Sequence, residues 1–281
     1  MFDLFGRRRR AALRAAPIPP AWAARIERNV PLVRRLSAAD RAELFGHVAV
    51  FVAEKHWEGA GGLVVDDEIR VTIAAQACLL LLHREVEAPY PELDTVLVYP
   101  RGWRTTTRHA EDGLVHEGAA HHLGESWKRG LVILAWDAAR RGAADDDDGQ
   151  NVVLHEFAHQ LDTEAGAADG APALPDRAMY GPWARVLGRE YEALVDALHQ
   201  GRPTTLDPYG ATNPAEFFAV VTELFFERPR ALREKHRALY DQLAAFYRQD
   251  PAEWSGESSG GGGARPPPQR PPSPRAERRP S

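Results

Sequence analysis

The chain has 281 residues, 44% hydrophobic and 27% charged, a composition typical of a soluble globular protein rather than a disordered one. Lys and Arg number 35 and Asp and Glu number 40, so the net charge of -5 argues against a general nucleic-acid coat, which would need a basic excess. The single cysteine, Cys78, excludes an intrachain disulfide and a cysteine-based zinc site, and it fits the reducing cytoplasm, where we expect the protein to act.

The two ends of the chain differ in composition from its middle. Residues 1–20 are rich in Arg and Pro, lack the uninterrupted apolar stretch of a secretory signal, and are predicted to form a flexible N-terminus. Residues 255–281 are rich in Gly, Pro and Arg with almost no apolar side chains, so we expect a disordered tail. Residues 21–254 remain as one globular domain. Its longest apolar run, 71–82, is too short to span a bilayer.

The predicted elements run from helices through a few strands and back to helices. Ser37, with Asp40 three residues later, is a typical N-cap and predicts a helix that continues to Phe51. A second, largely buried helix is expected over 66–83. Strands are predicted at 95–99, 114–116 and 131–134, and further helices at 150–163, 180–200, 214–227 and 230–248. This order indicates an α+β fold, mostly helical, with a small sheet that precedes the helix at 150–163.

The segment that carries chemistry is His155-Glu156-x-x-His159, in an apolar stretch that neither Pro nor Gly interrupts. On a helix, residues four apart lie on one face, so both imidazoles can point at one ion. A catalytic zinc ion has three protein ligands and a water molecule. Glu156 can accept a proton from that water and pass it to a leaving amine. The alternative is an amphipathic helix with two surface histidines, because so short a pattern also occurs by chance.

A third metal ligand has to come from elsewhere in the chain. The motif with a distal histidine would need Gly and His where this sequence has Leu161 and Ala165. Asp162, on the same face of the helix, is better placed to orient a ligand imidazole. Glu216 and Glu223 lie seven residues apart on nearly the same face of a later apolar helix. Two such carboxylates need a partner if they are buried, and a metal ion would be such a partner. Spacing alone does not show whether Glu216 or Glu223 would bind the metal directly.

These motifs resemble those of a known family. Two segments are similar to the Mlc titration factor A family of zinc peptidases: His-Glu-Phe-Ala-His-Gln-Leu-Asp at 155–162 and Asp-Pro-Tyr-Gly-Ala-Thr-Asn-Pro-Ala-Glu at 207–216. The resemblance extends upstream to 96–100 and 124–127 and covers roughly residues 25–254. That family is similar in turn to the protease domain of lethal-factor-type gluzincins. The resemblance therefore implies a zincin-like metallopeptidase fold.

The resemblance also implies roles for individual residues. His155, His159 and Glu216 would bind one zinc ion per chain. Glu156 would be the general base, and Tyr209 would donate a hydrogen bond to the developing oxyanion. By its chemistry alone, Tyr209 is as readily an ordinary turn tyrosine. Glu223 then becomes a candidate for a residue that contacts one of the metal-binding side chains and not the metal itself.

Two functions follow as expectations. The first is a zinc metallopeptidase, of aminopeptidase type, that hydrolyses peptide bonds with zinc-activated water and is linked to sugar uptake through a repressor. The second is a regulatory protein that sequesters an Mlc-type transcriptional repressor, with hydrolysis secondary. A zinc hydrolase acting on another substrate is a weaker alternative, because the motif is associated with peptidases. We expect a peptide substrate and no direct contact with nucleic acid or membrane. His116, on a predicted strand, either lines the cleft or is a polar surface residue.

Overall fold

The computed structural model describes residues 2–254 apart from 112, 113, 123, 129, 165 and 167, with only the backbone described for 2–4 and 103–129. The predicted disordered tail at 255–281 lies outside these residues. Ten helices are present in this part of the chain: α1 (Phe2–Ala15), α2 (Pro20–Asn29), α3 (Ala38–Glu54), α4 (Asp67–Leu79), α5 (Trp136–Ala144), α6 (Val152–Thr163), α7 (Tyr180–His199), α8 (Pro214–Glu227), α9 (Pro229–Lys235) and α10 (Arg237–Tyr247). No helix in the same ranges is both long enough and apolar enough to cross a membrane.

The described residues of the first half of the chain form six strands: β1 (His56–Gly59), β2 (Thr95–Tyr99), β3 (Trp103–Glu111), β4 (Leu114–His122), β5 (Gly124–Lys128) and β6 (Leu131–Ala135). Four of them form one sheet in the order β1-β2-β6-β5. The first three strands in this order are parallel, and β5 pairs antiparallel with β6 at one edge. Strands β3 and β4 form a separate antiparallel ribbon. Helices before and after one small sheet fit the predicted α+β class.

Most predicted helices are present, with changed ends. Helix α3 begins where predicted, with Ser37 Oγ accepting a hydrogen bond from Asp40 N at 3.1 Å. The helix expected over 66–83 ends at Leu79, and the helix expected over 230–248 is two helices separated at His236. Helices α2 and α5 had no counterpart among the predicted elements.

Helix α1 occupies most of the segment expected to be a flexible N-terminus, where no helix was predicted. Helix α1 packs against α3. Arg10 Nε lies 2.9 and 3.0 Å from the two carboxylate oxygens of Glu54 on α3. Arg14 Nη2 donates to the carbonyl oxygens of Val86 and Glu87 at 3.0 and 2.6 Å. Arg10 and Arg14 therefore have partners on the rest of the protein, which composition alone does not reveal.

Helix α6 lies at the centre of the fold and packs against α4, α5, α8 and strand β5. Phe157 on α6 contacts Phe51 and Tyr90 edge to face, with ring centroids 5.6 and 4.7 Å apart. Such aromatic pairs bury large apolar areas in a defined geometry. Cys78 on α4 is fully buried in the same core, as expected for a small apolar residue. A helix held on so many sides gives its side chains well-defined positions.

Candidate metal centre

Helix α6 carries the His-Glu-x-x-His segment and has a well-capped N-terminus. Asn151 precedes the helix, and its Oδ1 accepts hydrogen bonds from the backbone N–H groups of Val153 and Leu154 at 3.1 and 3.0 Å. The cap satisfies two of the N–H groups that a helix start leaves without partners. Several apolar side chains of α6 are buried in the core: Val153, Leu154, Phe157, Ala158 and Leu161. The side chains of His155 and His159 are 12% and 14% exposed, so both are nearly buried.

Helix α8 packs against α6 and carries Glu216 in its first turn. Asn213 caps this helix, and its Oδ1 accepts a hydrogen bond from Glu216 N at 2.9 Å. Pro214 follows at the first helical position, where a missing N–H group has no cost. Every residue from Phe217 to Glu227 is buried. The capped end and the buried body of the helix fix the position of Glu216 relative to α6.

Both histidines direct Nε2 at the same carboxylate oxygen. His155 Nε2 lies 2.9 Å and His159 Nε2 lies 3.4 Å from Glu216 Oε2. One ligand atom from each of the three residues lies within 4.8 Å of the others. Zinc binds imidazole nitrogen and carboxylate oxygen at about 2.0–2.2 Å, so small side-chain adjustments would surround one ion with all three atoms. The donor set and its spacing therefore fit a zinc ion.

Glu223 contacts the other nitrogen of His155. Its Oε1 lies 2.7 Å from His155 Nδ1, and its Oε2 accepts a hydrogen bond from the backbone N–H of Asn151. A carboxylate that accepts from Nδ1–H fixes the tautomer in which Nε2 is free to bind a metal. The sequence left Glu216 and Glu223 open as the third ligand. In the structure, Glu216 approaches the Nε2 atoms of both histidines, and Glu223 contacts the other ring nitrogen of His155, Nδ1.

The charges of this cluster are strongly coupled. Burial acts to lower the pKa of His155, but the carboxylates of Glu223 and Glu216 outweigh it and hold the pKa well above its ordinary value. Burial acts to raise the pKa of Glu216, but hydrogen bonds with His155 and His159 outweigh it and lower the pKa to about 2. Burial also raises the pKa of Glu223. Glu216 is therefore ionised at neutral pH and supplies negative charge for a cation.

Glu156 and Tyr209 both lie close to His155. Glu156 is 6% exposed, and its charge contributes to the raised pKa of His155. Tyr209 lies in a short 3-10 turn, Pro208–Ala211, in which Asp207 Oδ1 accepts a hydrogen bond from Tyr209 N at 2.8 Å. The Tyr209 ring centroid is 6.0 Å from that of His155, and the residue is 48% exposed. Glu156 is thus buried, whereas Tyr209 is partly open to solvent.

Asp162 has a partner that the sequence did not suggest. It is fully buried, and its Oδ2 accepts a hydrogen bond from Gly170 N at 2.8 Å. Trp183 Nε1 donates to Gly170 O at 2.9 Å, so both backbone polar groups of Gly170 have partners. Burial raises the pKa of Asp162 to about 6. Asp162 thus holds the loop after α6, while Glu223 takes the hydrogen bond from His155 that was expected of such a carboxylate.

The structure describes Asn151 in full but only the backbone of His116. His116 lies on β4 opposite His109, and its side chain is outside the described part of the structure, so its cleft-lining role stays a prediction. Asn151 is the residue of this cluster that the sequence analysis missed. An Asn directly before an apolar helix is an N-cap signal that could have identified its capping role. Its contact with Glu223 joins residues 72 apart and has no local signal.

Comparison with known proteins agrees with the chemistry of this cluster. The family described as "Glucose-regulated metallo-peptidase M90" matches residues 5–248, including most of α1. An uncharacterised protein from Synechocystis sp. is 43% identical over 84% of this chain and 86% of its own length. Proteins called Mlc titration factor A from Salmonella gallinarum and Klebsiella pneumoniae are 32% and 33% identical, over 80% and 79% of this chain and 84% of their own lengths. The chain is therefore similar to the Mlc titration factor A proteins and belongs to the family described as glucose-regulated metallo-peptidase M90.

Proposed function

We propose that the chain is a zinc-dependent peptidase in which His155, His159 and Glu216 bind one zinc ion. The observation that carries the proposal is the approach of both Nε2 atoms to Glu216 Oε2, at 2.9 and 3.4 Å. Membership of the M90 family supports a metallopeptidase-like role. Cleavage of aminopeptidase type and the zincin-like fold, which the sequence resemblance implies, belong to the same proposal.

The protein's own groups would handle the protons and the developing charge. When bound, zinc supplies a Lewis acid that polarises a carbonyl group and makes water more acidic. The Glu156 carboxylate accepts a proton from the attacking water and delivers it to the nitrogen of the leaving amine. The Tyr209 hydroxyl donates a hydrogen bond to the substrate carbonyl oxygen as it becomes an oxyanion. Glu223 keeps His155 oriented by accepting the hydrogen of Nδ1.

The variant Glu156→Gln separates proton transfer from metal binding. Gln has nearly the same shape as Glu but accepts no proton at neutral pH, so we expect hydrolysis of short peptides to fall by about 100- to 10,000-fold. Zinc content should stay at the wild-type value, because Glu156 is not among the proposed ligands. Glu192→Gln, which changes an exposed residue of α7, is the matched control and should keep full activity. Full metal-dependent hydrolysis by Glu156→Gln would contradict the mechanism.

The proposed ligands are tested by counting zinc in purified protein after dialysis. His155→Ala and Glu216→Ala should each lose one zinc ion per chain relative to the wild type, because three protein ligands are needed for tight binding. Mass spectrometry of the metal gives the count. An undiminished count in Glu216→Ala would move the third ligand to another residue. An undiminished count in His155→Ala would refute the site itself.

A second candidate function is the binding of a transcriptional repressor, with hydrolysis secondary. It is favoured by the name Mlc titration factor A of two relatives. We propose that this chain binds a repressor of the Mlc type and is thereby linked to sugar uptake, which requires the cytoplasmic location predicted from the sequence. Calorimetry with a purified Mlc-type repressor tests the contact directly. Absence of binding at micromolar concentrations would reject this function.

Glu156→Gln also distinguishes the two functions in cells. If binding carries the effect, the variant should relieve repression of sugar-uptake genes as well as the wild type does. If hydrolysis carries it, the variant should fail to relieve repression although it still binds the repressor. A reporter gene under control of the repressor provides the readout.

A further inference from the structure

The turn Pro208–Ala211 places Tyr209 beside His155, and the side chains that flank this turn hold the backbone of Tyr209 on both sides. We propose that Asp207 is a positioning residue that, together with Thr212, fixes the direction in which the Tyr209 side chain leaves the backbone. The inference rests on the proposed function, in which the Tyr209 hydroxyl donates to the developing oxyanion. It adds two residues that are neither metal ligands nor proton carriers.

Asp207 holds the N–H side of Tyr209. Its Oδ1 accepts a hydrogen bond from Tyr209 N at 2.8 Å, and its backbone carbonyl oxygen accepts one from Gly210 N at 3.0 Å. Aspartate favours such turns because its short side chain reaches the backbone two residues further on. Pro208 lies between the two residues, and its ring fixes φ at about −65° and removes one N–H group. The turn therefore begins in a defined conformation, with the Asp207 carboxylate as the partner of the Tyr209 N–H.

Thr212 holds the carbonyl side of Tyr209. Its Oγ1 donates to Tyr209 O at 2.7 Å, and its backbone N–H donates to the same oxygen at 3.1 Å. Two donors on one carbonyl oxygen restrict rotation of the peptide unit that follows Tyr209. Because the N–H and the carbonyl of Tyr209 both have partners, the direction of its Cα–Cβ bond is defined.

The end of the turn is tied to the helices that support the metal centre. The turn packs against α7 and α8, and Gly210 within it is buried. Tyr191 on α7 donates from its hydroxyl to Ala211 O at 3.3 Å, and its ring meets that of Phe217 edge to face with centroids 5.8 Å apart. Phe217 directly follows Glu216 on α8. The turn and the proposed ligand Glu216 thus share one support.

Tyr209 needs this restraint from its backbone because its side chain has few other sources of it. The residue is 48% exposed, and solvent does not fix the orientation of a ring. A catalytic group has to be held within about 0.5 Å of its productive position. A misplacement of about 1 Å can lower a rate about 100-fold. Loss of the contact from Asp207 should therefore lower catalysis without removing any reacting group.

Asp207 could also act through its charge. Burial raises the pKa of Glu223, and the charge of Asp207 adds a contribution in the same direction. Asp207→Asn separates the two effects, because Asn keeps an oxygen that accepts from Tyr209 N but carries no charge. If positioning is the role, Asp207→Asn should keep the wild-type rate while Asp207→Ala should not.

Steady-state hydrolysis of a short peptide is the first measurement. Tyr209→Phe should lower kcat by about 100-fold, as loss of one donor to an oxyanion does. Asp207→Ala and Thr212→Val should each lower kcat by about tenfold or more. KM and zinc content should stay near the wild-type values, because this donor acts in the transition state. Thr212→Ser, which keeps the hydroxyl, should restore the rate.

The combination of variants distinguishes positioning of Tyr209 from general damage. In the Tyr209→Phe background, Asp207→Ala should cause no further loss, because the hydroxyl that it positions is already absent. The matched control is Asp176, whose Oδ1 accepts from Ala178 N at 2.8 Å at the start of another 3-10 turn, Arg177–Met179. That turn carries none of the proposed site residues, so Asp176→Ala should keep the wild-type kcat.

A second measurement does not depend on hydrolysis. The ring centroids of Tyr209 and His155 are 6.0 Å apart, so nuclear Overhauser contacts between the two rings report the position of Tyr209. These contacts should weaken in Asp207→Ala and persist in Asp207→Asn and Asp176→Ala. Contacts of wild-type intensity in Asp207→Ala would overturn the proposal, and so would a wild-type kcat or an equal loss of kcat in the Tyr209→Phe background. Failure of the peptidase function itself is recognised separately, by full activity of Glu156→Gln.

Discussion

Glu223 is the residue that determines how firmly His155 is held for metal binding. Its carboxylate accepts hydrogen bonds from His155 Nδ1 and from the backbone N–H of Asn151. Gln at this position has one oxygen for the two N–H donors. Its amide N–H group would therefore face one of these donors and could not accept its hydrogen bond. We therefore expect Glu223→Gln to weaken zinc binding by about 10- to 100-fold, as loss of such partners does elsewhere. Competition with a chromogenic chelator measures the affinity.

Glu227, one turn further along α8, is the matched control for Glu223. It is 1% exposed, and burial raises its pKa well above the ordinary value. Burial thus favours the uncharged form of Glu227, and Glu227→Gln introduces an uncharged side chain of the same shape. Its zinc affinity should equal that of the wild type. Equal weakening in the two variants would mean that any polar change on α8 disturbs the site, against a specific role for Glu223.

Local spacing predicts the two histidines of the cluster but not their partners. His155 and His159 are one helical turn apart, which a four-residue interval shows directly. The roles of Glu216 and Glu223 depend on how α8 packs against α6. This packing brings both carboxylates to His155, which precedes them by 61 and 68 residues in the chain. Both carboxylates lie on the correct face, so amphipathicity does not distinguish them. Only the packing of the two helices decides which nitrogen each carboxylate meets.

At the scale of elements, the loop after α6 and the start of α8 meet at Gly170. Its N–H donates to Asp162, its carbonyl accepts from Trp183, and its φ is 79°. A Cβ atom here would lie 2.5 Å from Pro214 O and 2.9 Å from Pro214 C. Real Cβ atoms essentially never approach backbone so closely. Any larger residue would thus displace the first turn of α8, which carries Glu216.

We expect Gly170→Ala to lower the free energy of unfolding by about 1–3 kcal/mol through backbone strain. Displacement of Glu216 should also weaken zinc binding by about tenfold or more. Gly201→Ala is the matched control, because φ is 64° there but nothing lies within 4 Å of an added Cβ. It should lose stability and keep zinc affinity. If chelator competition gives the two variants equal affinity, the loop does not position Glu216.

Helix prediction succeeded where the signal is local. Helix α3 has a capping serine and apolar residues at helical spacing, and α8 has Asn213 and Pro214 at its start. Helix α1 was missed because its run of four arginines resembles a solvated segment. Arg10 in that run has Glu54 and Glu87 as partners, which are 44 and 77 residues away. Such distant ion pairs are not visible in a local pattern.

At the scale of the whole molecule, element order predicted the α+β class and a small sheet, but not the order of the strands in that sheet. Strand β1 has one intermediate and three exposed residues, so no alternation of apolar side chains marks it. In its parallel pairing with β2, His56 lies opposite Thr95. Strand β2 also pairs in parallel with β6, where Thr95 lies opposite Leu131. Parallel strands need long crossover connections, so their order follows from tertiary packing and not from neighbouring residues.

The docking of α1 decides where the folded domain begins. Arg14 Nη2 donates to two backbone carbonyl oxygens, of Val86 and Glu87, at 3.0 and 2.6 Å. Arg14→Ala removes both charged hydrogen bonds, and we expect the free energy of unfolding in urea to fall by about 1–2 kcal/mol. Arg8→Ala is the matched control: Arg8 is exposed with no hydrogen bond or ion pair in the described structure, so its effect should stay within about 0.5 kcal/mol. Equal stability of the two variants would support a flexible N-terminus with a domain that starts near residue 21. A loss confined to Arg14→Ala would instead make α1 part of the domain, in agreement with a family match that starts at residue 5.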